Sequence, residues 1–309
     1  MYEILTLGHI FQTGGSAQNV VRILAGLLRR QNVPARVMFT GCIGKDDFGS
    51  LLEKKANEDG VETHYSLSDT EPTGTCAVCL TEQGKNRSLC AFLGASQKFS
   101  DKHLIDNWDT LVKDTDIIYI SGFLIAVSPK TYHLLGEHIA KSGDKNRRFC
   151  LNLSAPYVST VFGQELVKVM KYVDIVFGND DEAQAYAQHR QWNTASVEDI
   201  AKMIVSDEKV RLDVRRLVII TQGEKPVIVA QQTNGDNVEI KHFECKPISK
   251  EEMVDSNGAG DSFAGGFLSQ FMQGAKLEDC IEVGSYAARE VIKLSGIAVP
   301  KFDDIPKRH

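Results

Sequence analysis

The clearest pattern along the chain is a series of short apolar runs, each of which ends in a glycine or a small polar residue. Helix-like stretches, such as residues 48–58 and 164–170, lie between these runs. Short apolar runs that alternate with amphipathic helices are typical of a parallel sheet, because its strands are buried on both faces. We therefore predict an α/β fold with a mostly parallel sheet. The predicted strands cover residues 36–41, 117–122, 149–152, 175–179 and 217–221.

Polar residues end three of the predicted strands. Asn152, Asn179 and Thr221 each stand at the carboxyl end of a run. In an open parallel sheet, ligands bind beyond the carboxyl ends of the strands. We expect these three side chains to lie along one edge of the sheet, beside a binding site.

Residues 61–96 depart from the alternation of apolar runs and helix-like stretches. Two β-like stretches, 73–80 and 87–93, flank the turn-like segment 81–86, which predicts a hairpin. Inserted between two α/β units, this part would project from the sheet edge as a small lid. The chain shows no internal repeat or long linker. We therefore predict a single domain over residues 1–309, with the lid formed by 61–96 together with 1–13.

Composition limits the partners of the chain. Lys and Arg number 35 against 41 Asp and Glu, and the net charge is -6. This balance provides no general attraction to nucleic acid or to an anionic membrane, so we expect neither as a partner. No run reaches the roughly 18 apolar residues of a membrane span. We expect a cytoplasmic protein, with a nuclear location also open.

The cysteines support a reducing compartment. The chain has seven, an odd number without the paired spacing of a zinc site. Cys76 and Cys79 form the one CxxC pattern, and a separation of three places them on opposite faces of a strand. That geometry suits neither a disulfide nor a shared metal, so we predict free thiols.

A glycine-rich segment near the carboxyl terminus carries the strongest chemical signal. Residues 255–261 read Asp-Ser-Asn-Gly-Ala-Gly-Asp and precede a small-residue apolar stretch that suits a closely packed helix. Glycines at a helix N-terminus form an anion site, because unpaired N–H groups and the helix dipole face the ligand. A carboxylate such as Asp261 would repel a phosphate bound there. Its presence is explained if it accepts the proton of a substrate hydroxyl that attacks the phosphate. The alternative is a tight turn with an acidic residue that the dipole favours. A P-loop and a complete dinucleotide fingerprint are absent.

A second glycine-rich start precedes the first predicted helix. Gly14 and Gly15 are followed by Ser16 and, three residues later, by Asn19. Paired glycines beside a hydroxyl and an amide suit a site that packs backbone and polar groups against sugar hydroxyls. The alternative is that Ser16 simply caps the helix.

These two segments, in this order, resemble the two signatures of the ribokinase-type (PfkB) carbohydrate and nucleoside kinases. The resemblance runs from about residue 14 to residue 300, and several segments look like the adenosine kinase branch. It implies a ribokinase-like fold, in which helices flank a mostly parallel sheet in three layers and a small β lid covers the site. The segments of that branch are 86–89, 152–157, 177–182, 221–223 and 265–270.

The resemblance also implies roles for individual residues. Asp261 would be the base, the backbone of Gly258, Ala259 and Gly260 would hold the γ-phosphate, and Arg87 would reach the phosphates from the lid. Asn179 and Glu182 would organise Mg²⁺ largely through water; the alternative for this acidic stretch is a solvated turn. The ATP-binding residues would be Asn152, Asn179, Thr221 and Gly223. The substrate-binding residues would be Gly15, Ser16, Asn19, Leu93, Tyr157 and Asn257, with Leu93 and Tyr157 as walls for the acceptor base.

The activity implied is ATP-dependent phosphorylation of the 5′-hydroxyl of adenosine to AMP, by a monomer that uses Mg²⁺. Phosphorylation of another nucleoside or a sugar is the alternative within the family. A nucleotide-binding form without catalysis is the other alternative. The family has a first strand and a Gly-Asn-Pro-x-x-Asp motif before the segment at Gly14, and this sequence contains no Asn-Pro dipeptide. We therefore expect a shortened form that lacks the family's N-terminal strand.

Overall fold

The computed structural model describes residues 12–81, 86–233, 237–249 and 251–308, with backbone alone at 79–81 and 86–89. The strands in this part of the chain are β1 Met38–Gly44, β2 Glu62–Ser68, β3 Thr75–Thr81, β4 Asn86–Phe92, β5 Ile117–Ser121, β6 Arg148–Asn152, β7 Ile175–Asn179, β8 Leu217–Gln222, β9 Lys225–Gln232 and β10 Val238–Phe243. The helices are α1 Ser16–Arg30, α2 Asp47–Glu58, α3 Asp101–Asp106, α4 Trp108–Leu111, α5 Pro129–Lys141, α6 Pro156–Met170, α7 Asp180–His189, α8 Val197–Ser206, α9 Ala259–Phe271 and α10 Leu277–Ile292.

The largest sheet has six strands in the order β10-β9-β8-β7-β6-β5. Strands β5 to β8 are parallel, whereas β9 and β10 are antiparallel to their neighbours. The two-residue link Gly223–Glu224 between β8 and β9 explains the change, because a parallel neighbour requires a crossover of a dozen or more residues. The mostly parallel sheet is thus confirmed, and four of the predicted strands lie in it.

The fifth predicted strand has another place. β1 pairs in parallel with β2 in a separate two-stranded sheet, rather than joining the six-stranded one. β2, β9 and β10 were not predicted as strands. β2 and β10 consist almost entirely of exposed and partly buried positions, and neither contains the continuous apolar run that marks a central strand.

The six-stranded sheet separates two hydrophobic cores. On β6, Phe149 and Leu151 belong to the core beneath α5 to α8, while Cys150 belongs to the core beneath α1, α9 and α10. On β7, Val176 faces the first core, and Ile175 the second. Because successive residues of a strand point to opposite faces, continuous apolar runs supply both cores. Helices therefore cover both faces in a three-layer α/β fold, as predicted.

The predicted hairpin is present, with β3 and β4 antiparallel and Val78 opposite Leu89. The turn between them, 82–85, lies outside the described residues. Cys76 and Cys79 both lie in β3, as expected. The described cysteines 42, 76, 90, 150, 245 and 280 are free, and among the described residues no group of three or more His, Cys, Asp or Glu is arranged to hold a metal. Nor does any helix in the described ranges have the length and apolarity needed to cross a membrane.

Candidate active site

A cleft of about 3200 Å³ includes the carboxyl ends of the parallel strands and continues along β5 to Asn146 and Arg148 near the other end of the sheet. The hairpin contributes Gly74 to Val78 and Ala91 to Leu93 to its wall. Most of the site residues predicted from the sequence line this one cleft. They are Gly15, Ser16, Leu93, Asn152, Tyr157, Asn179, Glu182, Thr221, Gly223, Asn257, Gly258, Ala259, Gly260 and Asp261.

Two predicted residues are not among the lining residues. Asn19 is buried behind the cleft with 2% of its surface exposed. Arg87 lies on β4 opposite Leu80 in the strand register, but its side chain is outside the described residues. The role of Arg87 therefore stays a prediction.

The glycine-rich segment forms the start of α9, as predicted. Gly258 is the N-cap residue in the left-handed conformation, with φ of 73°. A side chain there would be strained, and its Cβ would lie 2.6 Å from Cδ1 of Ile297. Gly260 is different, because a Cβ there would meet nothing within 4 Å. The first turn of α9 therefore faces open space in the cleft, where its N–H groups suit an anion.

Asp261 lies in this first turn and is held from α1. Ser16 Oγ donates to Oδ1 of Asp261 at 2.8 Å, and Asn19 Nδ2 donates to Oδ2 at 2.8 Å. The two helices approach closely because Gly265 has no side chain: a Cβ there would lie 2.6 Å from the backbone oxygen of Val20. The two donors fix the orientation of a carboxylate that faces the anion site. This geometry suits a general base for a hydroxyl that attacks a bound phosphate.

The structure corrects the alternative reading of Ser16. Gly15, with φ of 110°, is the N-cap residue of α1, and no side chain caps this helix. Ser16 is the first helical residue, which directs its hydroxyl toward Asp261 instead of toward the helix backbone. Asn19, predicted to hold the acceptor, contacts Asp261 from its buried position.

Asn179 and Glu182 form a capping box at the start of α7. Asn179 Oδ1 accepts from the Glu182 N–H at 2.8 Å, and Glu182 Oε2 accepts from the Asn179 N–H at 3.1 Å. The pKa of Glu182 is raised to about 7, mainly by burial and to a smaller extent by the nearby carboxylates of Asp261, Asp181 and Asp180, while the hydrogen bond from the Asn179 N–H acts in the opposite direction. With 7% of its surface exposed, Glu182 does not belong to a solvated turn, and that alternative is wrong.

Asn152, Asn179 and Thr221 lie near one another at the carboxyl ends of neighbouring parallel strands. Asn152 and Asn179 end β6 and β7, and Asn179 is paired with Thr221 of β8. Asn152 Oδ1 accepts from the Ser154 N–H at 2.9 Å. Gly223 forms the β8–β9 turn with φ of 63°, and a Cβ there would meet nothing within 4 Å. One side of the cleft is therefore lined by polar side chains, and at Gly223 a ligand can approach the backbone directly.

The opposite side of the cleft is apolar. Leu93 and Tyr157 line it with exposures of 45% and 47%. Phe123 stacks on Tyr157 with ring centroids 6.0 Å apart and an interplanar angle of 26°. Sequence reasoning missed Phe123; its position directly after the β5 terminator Gly122 was the available signal. These surfaces suit a flat, partly apolar group.

Sequence reasoning also missed a role for Asp255. This buried carboxylate accepts from the N–H of Asn257 at 2.9 Å and from the N–H of Gly296 at 3.1 Å. Asn257 Nδ2 is 3.3 Å from Oδ2 of Asp255, so its amide is engaged within the loop as well as lining the cleft. Asp255 thus shapes the loop that leads into the anion site.

Comparisons with known proteins agree with this geometry. The family model described as "pfkB family carbohydrate kinase" matches residues 10–303. Adenosine kinase 2 of Arabidopsis thaliana is 38% identical over 293 residues, which cover 94% of this chain and 81% of the relative.

Solved structures agree as well. Anopheles gambiae adenosine kinase in complex with P1,P4-di(adenosine-5) tetraphosphate is 39% identical with a TM-score of 0.84, and the match covers 92% of this chain and 80% of that one. Adenosine kinase from Schistosoma mansoni in complex with 2-fluoroadenosine is 29% identical with a TM-score of 0.85, covering 96% and 84%. This chain is a member of the pfkB carbohydrate kinase family, in which the relatives named here are adenosine kinases.

Proposed function

We propose that this protein transfers the γ-phosphoryl group of ATP to the 5′-hydroxyl of adenosine, which yields AMP and ADP. The observation that carries the proposal is the placement of Asp261. Its carboxylate is oriented by Ser16 and Asn19 and stands in the first turn of α9, beside an open helix N-terminus. The adenosine kinases among its relatives support the acceptor, as do the adenosine derivatives bound to two solved relatives.

The reaction follows from these positions. Asp261 accepts the proton of the 5′-hydroxyl while the oxygen forms a bond to the γ-phosphorus. The bond between that phosphorus and the β,γ-bridging oxygen breaks, and ADP leaves with the electron pair. The N–H groups around Gly258, Ala259 and Gly260 would stabilise the charge on the transferred group, because the first N–H groups of a helix point toward an anion bound at its N-terminus.

The other site residues are assigned by their place in the cleft. Asn152, Asn179, Thr221 and Gly223 lie on the polar side and would bind ATP. Leu93, Tyr157 and Phe123 would enclose the base of the acceptor, since flat rings stack on aromatic side chains. Gly15, Ser16 and Asn257 would face its ribose. Arg87 would supply a positive charge from the hairpin.

Mg²⁺ fits the carboxylates of this cleft. Glu182 would offer its buried carboxylate oxygens to the ion. Its pKa is raised mainly by burial and partly by Asp261, so a cation would relieve the repulsion between the two carboxylates. Hard oxygen ligands and a retained water shell suit Mg²⁺, which we assign to Asn179 and Glu182 largely through water. When bound, it would neutralise charge on the β- and γ-phosphates.

The magnesium assignment has a direct test. Calorimetry of a non-hydrolysable ATP analogue should show that Glu182→Gln needs a higher Mg²⁺ concentration for the same affinity. The control is Glu198→Gln, which changes an exposed acid in the first turn of α8. An unchanged Mg²⁺ dependence in Glu182→Gln would remove Glu182 from the magnesium site.

The function is tested with labelled ATP and a panel of acceptors. We expect phosphate transfer to adenosine, with AMP identified by chromatography, and slower transfer to other nucleosides, ribose and fructose. A preference for ribose or fructose would contradict the purine assignment. Binding of ATP without transfer to any acceptor would favour the non-catalytic alternative.

We also propose a cytoplasmic monomer. The free cysteines of the described part support a reducing compartment. Imaging of a tagged full chain and light scattering of the purified protein test the two statements; a secreted or dimeric protein would contradict them.

A further inference from the structure

We infer that Arg22 is a positioning residue for the phosphoryl transfer, because it links the segment before α1 to the segment that packs on the anion site. The inference rests on the proposed function and adds to it a residue that does not touch the cleft. Arg22 is 1% exposed. A fully buried arginine needs a counter-charge and acceptors for its five N–H donors. The groups that Arg22 contacts therefore indicate which parts of the chain it holds together.

The contacts of Arg22 join three parts of the chain. Its Nε donates to Oδ2 of Asp59, at the end of α2, at 2.7 Å. Its Nη1 donates to the backbone oxygen of Thr13 at 3.1 Å and to that of Ile297 at 3.4 Å. Asp59 supplies the neutralising charge, and Lys55 approaches the same carboxylate at 3.5 Å. The two carbonyls are thus held side by side by one nitrogen.

Both carbonyls belong to segments that shape the candidate active site. Thr13 lies two residues before Gly15, the N-cap of α1. Ile297 packs on Gly258, the N-cap of α9, so closely that a Cβ on that glycine would lie 2.6 Å from Cδ1 of Ile297. The Arg22 guanidinium therefore connects the segment before α1, which supplies Ser16 and Asn19, to the segment that packs on the start of α9, which contains Asp261.

The helix geometry explains why one residue can do this. Ser16, Asn19 and Arg22 are spaced by three and lie along one face of α1. Ser16 and Asn19 bind Asp261. Arg22 follows one turn later in α1 and binds the carbonyl of Thr13, which precedes the helix. A small rotation of α1 relative to α9 would displace Asp261 from the phosphate, and a misplacement of about 1 Å can cost roughly 100-fold in rate.

The protein contains a matched control in Arg216. Its exposure is 0%, and it also binds backbone carbonyls, those of Met170, Val173, Ile204, Asp207 and Glu208. It directly precedes β8 and does not line the cleft, whereas Thr221, which does, lies near the other end of that strand. Loss of this arginine should affect stability without affecting the geometry at Asp261.

The experiment compares Arg22→Lys with Arg216→Lys. Lysine keeps the charge beside Asp59 but lacks the planar fork that reaches two carbonyls. We expect Arg22→Lys to lower kcat at saturating substrates about 10-fold or more, measured well below its Tm. Arg216→Lys should lose Tm while its kcat per folded molecule stays within about two-fold of the wild type. A kcat loss that follows Tm equally in both variants would overturn the inference.

A second variant and a second measurement keep the test independent of folding yield and of activity. The pair Arg22→Gln with Asp59→Asn removes both charges and should show the same loss of kcat, whereas Asp59→Asn alone keeps the carbonyl contacts and most of the kcat. Amide hydrogen exchange should become faster at residues 13–19 and 256–262 in Arg22→Lys and stay unchanged there in Arg216→Lys. Unchanged hydrogen exchange in Arg22→Lys would overturn the inference, whether or not the wild type phosphorylates an acceptor. Failure of the wild type to phosphorylate any acceptor would contradict only the proposed function.

Discussion

Asn19 donates a 2.8 Å hydrogen bond to Asp261, although the two residues are 242 positions apart in the chain. The contact joins α1 to the first turn of α9 and leaves Asn19 wholly behind the cleft. Its partner on the other carboxylate oxygen is Ser16. The carboxylate that we propose as the base is therefore oriented by a helix on which it does not lie, so its orientation depends on how α1 and α9 pack.

Replacing Asp261 by Asn should remove the general base. Loss of such a base typically lowers the rate by about 10²–10⁴-fold, and we expect that reduction in kcat with nearly unchanged ATP affinity. Steady-state kinetics and calorimetry measure the two. Asp199→Asn is the control, since Asp199 is also the third residue of a helix. Near-normal turnover of Asp261→Asn would show that another group takes the proton.

Replacing Asn19 by Asp should shift the pH dependence of the reaction. A second carboxylate next to Asp261 makes it harder to ionise, because like charges repel at this distance. The base must be ionised to act, so the acidic limb of the pH–rate profile should move upward by about one pH unit or more. Asn19→Leu controls for the lost hydrogen bond, which by itself also disfavours the ionised form, so its acidic limb should move in the same direction but by less than that of Asn19→Asp. Coinciding profiles of Asn19→Asp and the wild type would contradict the placement.

The two glycines at the start of α9 should respond differently to alanine. Gly260 has helical backbone and open space around its Cα, so Gly260→Ala should keep or raise Tm, since alanine is favoured by about 1 kcal/mol in a helix. Its methyl group would enter the anion site, and ATP affinity or kcat should fall. Gly258→Ala should lose both stability and activity, because of its φ and its contact with Ile297. Full activity of Gly260→Ala would show that phosphate does not approach this turn.

Asp46 should stabilise the connection into the hairpin in a pH-dependent way. Its Oδ1 accepts from Thr73 Oγ1 and its Oδ2 from the Thr73 N–H, both at 2.7 Å, and it caps α2 through the N–H of Gly49. The bond from the Thr73 hydroxyl, more than any other contact, lowers the pKa of Asp46 below its ordinary value of 3.8. A lowered carboxyl pKa stabilises the fold above the unfolded value, and this contribution disappears as pH falls through the folded value.

Asp46→Asn should therefore cost about 1–3 kcal/mol in unfolding free energy at pH 7. The cap itself should survive, because Asn is as good an N-cap residue as Asp. Denaturant titrations from pH 7 down to pH 3 should show the difference from the wild type shrinking below about pH 4. Asp47→Asn, at the exposed neighbour, is the control. A constant difference across this range would show that the ionised carboxylate is not what stabilises the connection.

The sequence by itself determined the parts of this protein that depend on local pattern. The strand over 175–179 was placed at its observed bounds, and the glycines at 258 and 260 indicated a helix N-terminus because conformation and spacing are local properties. The family resemblance then predicted that Asp261 is the base, which is the role we propose for it.

Tertiary structure decided what depends on packing between distant segments. Nothing near Asn19 indicates that its amide is turned away from the cleft and onto Asp261. Arg22 stands in an apolar helix without any local sign of the two carbonyls it joins. The assignment of β1 to a separate pair with β2 likewise depends on which strand edges meet. These relationships arise because α1, α9 and the 295–297 segment pack together only in the folded chain, where burial requires each polar group to find a partner.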